Sequence, residues 1–572
     1  MIPVKNFNLT ANLGLFNDNT RYNELGSQYA SSSGVDGYAY VTHSRVFGVN
    51  SQILADYKIE SGLSTYDFLL GYESYTRTAQ GLNGYNNHLY DPFIGELGNA
   101  HGKSAIQAGS STNRYMTEGF FGRVQYEFDS KIFVNASYRR DASSRFAKEN
   151  RWGNFGSIGG AWLISKENFM SGATWVDMLK LKASYGIQGN DNLGGYYPYS
   201  DQYGVTYNEE TGEYSLNLTY KGNEDLTWES SKSFNAGFEF GLFNGILNGS
   251  VEYYSRTTTD LLYSKPVPIS AGNPTGEFPL NVGSVRNNGI EVSLDGTIYH
   301  SKKVDWSWNL NLTSNKNEIL SLDESIEEEG IRGSYYIQKV GGSIHEAYML
   351  KFAGLNEEGK ALYYMDQPVY ANDDPEHVGK PIRTDIVTTD DPTKATKYDC
   401  GAVYPKVFGG FGTSASFYGF DATVQFSYQL GGKYYDGSYQ ALMHTQKNAG
   451  SAMHKDLLNA WSPENTNTDI PRLDGDVLLA QSACDRFLTS SNYLALNNAQ
   501  IGYTIPAKVA KKMRLGSMRV YVAGENLMLL TARQGLDPRY GTGLGSYTSE
   551  SGMNSNDYGA MRNVTGGITL TF

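Results

Sequence analysis

The chain has 572 residues, 13% of them aromatic, with 64 Gly, 44 Tyr and a net charge of −13. That acidic balance argues against a nucleic-acid partner, because phosphate binding needs a basic surface. Mean hydropathy is −0.45 and no apolar run approaches the ~18 residues of a membrane helix, which excludes helical spans but not a barrel, whose signal is alternation.

The opening "MIPVKNFNLTANLGLF" carries no basic n-region, apolar h-region or small-residue cleavage site. Val4, Phe7, Leu9 and Ala11 already alternate, with some irregularity at the start, so the chain is expected to open inside a β domain. The pattern is clearest from Gly119 to Phe146. Phe120, Gly122, Val124, Tyr126 and Phe128 share one face, and Arg123, Gln125 and Glu127 the other. After Asp129-Ser130, Ile132, Val134, Ala136 and Tyr138 oppose Asn135, Ser137 and Arg139. The next repeat is Phe234, Ala236, Phe238, Phe240 and Leu242. Asn244-Gly245 then predicts a two-residue hairpin, both positions favouring positive φ. Leu247, Gly249, Val251 and Tyr253 form the return strand.

Further on, Ile290, Val292, Leu294, Gly296 and Ile298 alternate with Glu291, Ser293, Asp295 and Thr297. A short connection, His300 to Lys303, leads to Trp306, Trp308, Leu310 and Leu312. "PAKVAKKM" (506–513) reads as a brief helical turn, and "VTGGITLTF" closes the chain on Val564, Ile568, Leu570 and Phe572. About sixteen such segments recur, many reaching the ~9–11 residues that cross a bilayer as a tilted strand. Between short turns lie polar stretches at 187–230, 266–282, 321–344, 438–490 and 531–560. Short turns on one side and long loops on the other are how outer-membrane barrels are built.

The expected fold is all-β: a large antiparallel transmembrane β-barrel of outer-membrane type over residues 1–572, apolar face to lipid and polar face to a wet lumen. A soluble β-sandwich or propeller would use shorter strands and fewer mid-strand charges.

Little in the chain suggests catalysis, a cofactor or a metal. The eight histidines form no HExxH or comparable spacing, and "GNAHGKS" (98–104) lacks a Walker A glycine where Leu97 stands. Asp373-Asp374 and Asp390-Asp391 read as solvated acidic loops, with calcium the rival reading. Tyr196, Tyr197 and Tyr199 in "GGYYPYSDQYG" are candidates for stacking on a sugar ring; the rival reading is that tyrosine is this chain's common girdle and loop residue. Cys400 and Cys484 admit either a disulfide between long loops or two free thiols.

Seven stretches together resemble the SusC/RagA-type TonB-dependent transporters of the Bacteroidetes outer membrane. They are residues 120–170 ("FFGRVQYEFDSKIFVNASYRRDASSRF…"), 223–262 ("NEDLTWESSKSFNAGFEF…"), 281–294 ("NVGSVRNNGIEVSL"), 404–436 ("YPKVFGGFGTSASFYGFD…"), 460–473 ("AWSPENTNTDIPRL"), 491–506 ("SNYLALNNAQIGYTIP") and 519–538 ("RVYVAGENLMLLTARQGLDP"). The resemblance implies import of an oligosaccharide or peptide substrate. It also implies a SusD-like surface lipoprotein over the mouth and a lumenal plug pulled by the TonB complex. Phe572, ending an alternating strand, looks like the signal read by barrel-assembly machinery in outer-membrane lipid. The chain departs from the family at its front, with no plug, TonB box or N-terminal extension. It is therefore expected to be an incomplete portion of a 22-stranded barrel. A passive porin, a soluble secreted glycan-binding β protein and a non-functional fragment stand as alternatives.

Overall fold

The structure, a computed structural model, describes residues 5–29, 37–102, 107–370, 381–443, 450–473, 482–541 and 560–572. Val4 and Asp373-Asp374 lie outside the described residues, as do parts of the 98–104, 438–490 and 531–560 stretches.

The dominant element is a 16-stranded sheet whose spatial order follows the chain order. Its strands are β1 (Phe7–Gly26), β2 (Tyr38–Ser61), β3 (Ser64–Asn87), β4 (Gln107–Phe128), β5 (Ile132–Ser143), β6 (Trp152–Leu163), β7 (Val176–Asn190) and β8 (Glu229–Leu242). They continue as β9 (Leu247–Thr259), β10 (Ser284–His300), β11 (Val304–Ser321), β12 (Val407–Phe417), β13 (Phe420–Leu430), β14 (Tyr493–Thr504), β15 (Ser517–Thr531) and β16 (Asn563–Thr571). Contacts divide the chain into two compact units, each treated separately below: residues 1–167, 181–234 and 256–283, and residues 168–180, 235–255 and 284–572.

In the first unit the predicted faces hold through the register. Phe128 opposes Ile132, Tyr126 opposes Val134, Val124 opposes Ala136 and Gly122 opposes Tyr138, so one apolar row meets the next. Asp129 and Ser130 both take positive φ (51° and 50°), and Lys131 N–H donates to the Phe128 carbonyl at 2.9 Å, closing a tight turn. The strands exceed the bilayer requirement. β2 and β3 have 24 residues each, against the ~9–11 a crossing needs.

In the second unit the hairpin at Asn244-Gly245 is longer than predicted. β8 ends at Leu242 and β9 begins at Leu247. Phe243, Asn244 and Gly245 all have positive φ. The Phe243 N–H is drawn to the Trp175 carbonyl (2.8 Å) and the Gly245 N–H to the Asp177 carboxylate (2.9 Å), so the turn is pinned from the side rather than closed by two residues. The connection after β10 is Ser301–Lys303, because His300 still pairs with Asp305. A two-residue turn not singled out in the sequence, Tyr418-Gly419 (φ 51° and 94°), joins β12 to β13. The predicted helical turn is a short helix, Ala507–Lys512.

The stretches expected to be plain polar loops carry structure of their own. A hairpin, Gln202–Asn208 with Glu213–Tyr220, stands in the loop after β7. Between β11 and β12, beyond the 321–344 stretch, Glu346–Leu350 pairs with Lys397–Ala402, and Phe352–Leu355, Ala361–Val369 and Arg383–Thr389 form a three-stranded sheet. The largest buried apolar cluster of the second unit joins this connection to the one between β13 and β14: Met349 and Tyr363 from the former and Tyr435, Met443, Cys484 and Phe487 from the latter are all nearly inaccessible.

Candidate functional site

The large sheet has no apolar core of the ordinary kind. Its apolar side chains are the exposed ones: Leu70 is 68% and Ile158 57% accessible in the first unit, Ile568 62% in the second. Water would penalise that surface at roughly 25 cal/mol per Å², and monomeric soluble folds rarely leave rows of such residues uncovered. The soluble sandwich reading fails here, since a sandwich would bury these positions between sheets.

On β3 and β4 the apolar rows end in aromatic pairs. Tyr66 meets Tyr126 at 5.0 Å near the turn end, and Tyr72 meets Phe120 at 5.0 Å near the loop end. Trp152 continues the second row, 6.3 Å from Phe120. Just beyond it the same face turns polar, with Glu118 accepting the Tyr72 hydroxyl at 3.1 Å. Asp129 and Glu118 thus bracket about ten residues, or roughly 25 Å of height at a ~40° tilt, which is the belt of an outer-membrane barrel. The second unit repeats this: Phe417 stacks on Phe420 at 5.6 Å and Tyr503 lies tilted 4.6 Å from Phe420 at the turn end. Phe411 and Phe426 stack at 4.9 Å further along.

The opposite face is wet and polar. In the first unit it is charged. Arg139 donates from both terminal nitrogens to Glu73 (3.1 Å) and from Nε to Asp141 (2.6 Å), while its guanidinium lies 5.0 Å from the Phe121 ring. Gly119 makes room for this group, since a Cβ there would strike the Asp141 carboxylate. In the second unit carboxamides stand beside charged pairs such as Arg519–Asp421 and Lys180–Glu239. Asn309 and Gln425 exchange hydrogen bonds, Asn317 donates to Asn287 at 2.9 Å, and the Tyr254 hydroxyl donates to Asn315 at 2.8 Å. Carboxamides offer donors and acceptors together. That wall can bind peptide groups or sugar hydroxyls alike.

The tyrosines singled out in the sequence are half-buried where the loop after β7 folds against β3 and β4. The Tyr196 hydroxyl accepts from Arg77 (3.1 Å) and the Tyr197 hydroxyl from the Arg114 N–H (3.0 Å). Their rings lie 6.2 Å apart; Tyr199 is placed in the same loop. The structure adds a residue that composition could not reveal: Asp191, which accepts from Tyr115 (2.8 Å), Ser143 (2.6 Å) and Arg145 (3.0 Å) and ties this loop to the strand ends. Phe572 follows β16 and is 91% exposed.

Cys400 and Cys484 are both free thiols. Cys484 is enclosed in the loop core, and burial pushes its thiol up to about 12. Asp390 faces Lys360 at 3.7 Å and Asp391 faces Lys394 at 3.3 Å. Among the described residues no group of three or more His, Cys, Asp or Glu is placed to hold a metal ion. Gly102 of the "GNAHGKS" stretch donates to the Asn87 carbonyl at 2.8 Å, folded onto the end of β3.

The loop core is held by ionic and aromatic contacts. Asp436 caps the helix Gly437–Leu442 through the Tyr439 N–H (2.8 Å) and pairs with Arg533 (2.9 Å). The Arg533 guanidinium sits 3.3 Å from the Tyr439 ring centre.

Residues 4–527 match the family described as "TonB dependent receptor-like, beta-barrel". The chain is 29% identical over 492 residues to the TonB-dependent receptor P3 of Formosa agariphila, covering 82% of this chain and 47% of that protein. It is 27% identical over 550 residues to the TonB-dependent receptor SusC of Bacteroides thetaiotaomicron, covering 92% of this chain and 50% of that one. The chain therefore spans about half the length of the curated relatives it matches. A solved structure of the RagAB peptide transporter superposes with a TM-score of 0.86 at 28% identity, covering all of this chain and 61% of that one.

Proposed function

We propose that this chain, which belongs to the TonB dependent receptor-like β-barrel family, forms the barrel region, over residues 1–572, of a nutrient importer in the bacterial outer membrane. The importer carries an oligosaccharide or a peptide. It works with a SusD-like surface lipoprotein at the loop end and draws energy through the TonB complex. The reading rests chiefly on one observation: an exposed apolar belt about ten residues deep, edged by aromatic rows and backed by a polar wall. A passive pore has the same belt, but the family match and the likeness to a peptide transporter favour energised import.

Nothing in this reading calls for a cofactor or a covalent step. Transport needs a wall that solvates the cargo without holding it tightly, and the carboxamides of the second unit's polar face offer that chemistry. Tyr196, Tyr197 and Tyr199 are the proposed cargo-contacting aromatics at the loop end. Phe572 is the proposed terminal signal for barrel assembly.

The test is uptake of fluorescent oligosaccharides and oligopeptides by cells carrying or lacking the gene. Accumulation of one class that disappears on deletion of the gene, of tonB, or on adding a protonophore supports the proposal. Uptake that survives the loss of TonB and of proton-motive force makes the protein a passive pore.

A further inference from the structure

The consecutive arginines of "YRRD" point to opposite faces of β5 and meet opposite fates. Arg139, on the polar face, is neutralised by Glu73 and Asp141. Arg140, on the apolar face, forms no ion pair or hydrogen bond among the described residues and is exposed. Its guanidinium lies 5.2 Å from the Trp152 ring, and in the register it stands opposite both Phe120 and Asn154. It therefore sits in the aromatic row at the loop end of the belt, where hydrocarbon gives way to headgroups.

Directly below it, in the apolar direction, the surface is hollow. A recess of about 390 Å³ is lined on this face by Tyr138, Asn154, Gly156, Ile158, Tyr185 and Ile187. Tyr138 lies opposite Gly156 in the register, so a large ring faces a position with no side chain and a trough results. The Tyr138 hydroxyl donates to Asn154 at 2.7 Å, closing the upper end of the trough just beneath Arg140. The sequence thus sets an unneutralised cation at the top of an open apolar groove, in a chain whose net charge is −13.

We propose that Arg140, Trp152 and this recess form a binding site for one anionic lipid, with its phosphate on Arg140 and an acyl chain in the trough. A planar guanidinium offers two parallel donors to a phosphate, and a neighbouring ring keeps it oriented without neutralising it. Leaving a cation at the edge of hydrocarbon without a counter-charge is costly, and an anionic headgroup supplies that charge at close range. A recess of a few hundred Å³ falls in the size range of small-molecule sites, and its open side faces the neighbouring lipid. The site rests on the membrane-spanning reading of the apolar face and is independent of which nutrient is carried.

The test uses the protein extracted from its native membrane in mild detergent, stripped of lipid, and examined by native mass spectrometry. Dimyristoyl phosphatidylglycerol, dimyristoyl phosphatidylcholine and inorganic phosphate are added as probes. Phosphatidylglycerol should be retained at least about tenfold more than phosphatidylcholine, and inorganic phosphate should not displace it. Arg140→Gln should remove that preference, and Ile158→Trp, which fills the trough, should lower retention of both lipids. Lys303→Gln, a cation at another turn, should change nothing. Equal retention of the two lipids by the unaltered protein would overturn the proposal, as would an unchanged preference in Arg140→Gln. Displacement by inorganic phosphate would show that the trough holds no chain and would overturn it too. A folded variant is recognised by unchanged electrophoretic heat-modifiability, so loss of lipid is not confused with loss of fold.

Discussion

Leu310→Arg places a guanidinium close to the middle of the belt. On β11 the apolar face runs from Trp306, opposite Tyr299, through Leu310, opposite Leu294, to Lys316, opposite Asn288. Leu310 is thus four residues from the aromatic row and six from the first charge. At ~3.3 Å per residue and a ~40° tilt these are roughly 10 and 15 Å of depth. A cation there costs about 2–4 kcal/mol. At 1.4 kcal/mol per decade, the equilibrium between assembled and unfolded protein should fall roughly 30- to 1,000-fold. Ser293 is exposed on the polar face, opposite Asn311, and Ser293→Arg should change stability by no more than about 0.5 kcal/mol. Urea titration of protein reconstituted in lipid vesicles, followed by tryptophan emission, measures both. Equal losses in the two variants would refute the assignment of faces.

Gly419 holds φ at 94°, and a Cβ there would lie 2.9 Å from the Thr504 carbonyl; Gly419→Ala should destabilise the protein by about 1–2 kcal/mol in the same titration. His345, in the loop core, is held below the ordinary histidine range by burial, with Nδ1 2.5 Å from the Tyr404 hydroxyl. A depressed folded value means the unfolded chain takes up the proton first. Stability is therefore full above about pH 6.5 and is lost as pH falls below it towards the folded value. Protease resistance of the chain at residues 345–369 between pH 8 and 5 should show this loss, and His345→Gln should flatten it. Cys484 should resist maleimide at pH 8 in the folded protein, because a thiol pushed up to about 12 is thiolate only about one part in 10⁴ at that pH. In a Cys400→Ser background labelling should begin on unfolding, and rapid labelling of the folded variant would contradict the buried loop core.

The pattern of faces was legible because a period of two leaves no ambiguity once one side must meet lipid. Phe120 to Phe128 and Ile132 to Tyr138 could be read as a pair before any register was known. The turns were only partly legible. Asp129-Ser130 behaves as a local turn should, whereas Asn244-Gly245 is bent by Trp175 and Asp177 from a distant part of the chain. The loop core was not legible. Its strands are three to nine residues long, too short for periodicity to separate "EAYML" or "ALYYM" from scattered apolar residues. Of the site, the presence of a polar wall could be read, but not its partners. Arg139 meets Glu73 across 66 positions of sequence, a pairing that exists only once β3, β4 and β5 are in register. The alternation sends Arg139 and Arg140 to opposite faces, but not what each meets there: two carboxylates for one, the Trp152 ring for the other.

The most direct measurement is the accessibility of spin labels placed one at a time at residues 66 to 73 of β3, in a Cys400→Ser/Cys484→Ser background reconstituted in lipid. Labels at 66, 68, 70 and 72 should collide mainly with oxygen dissolved in the bilayer, and those at 67, 69, 71 and 73 mainly with a water-soluble nickel chelate. A uniform profile, or one in which the even positions are shielded from both reagents, would contradict the account.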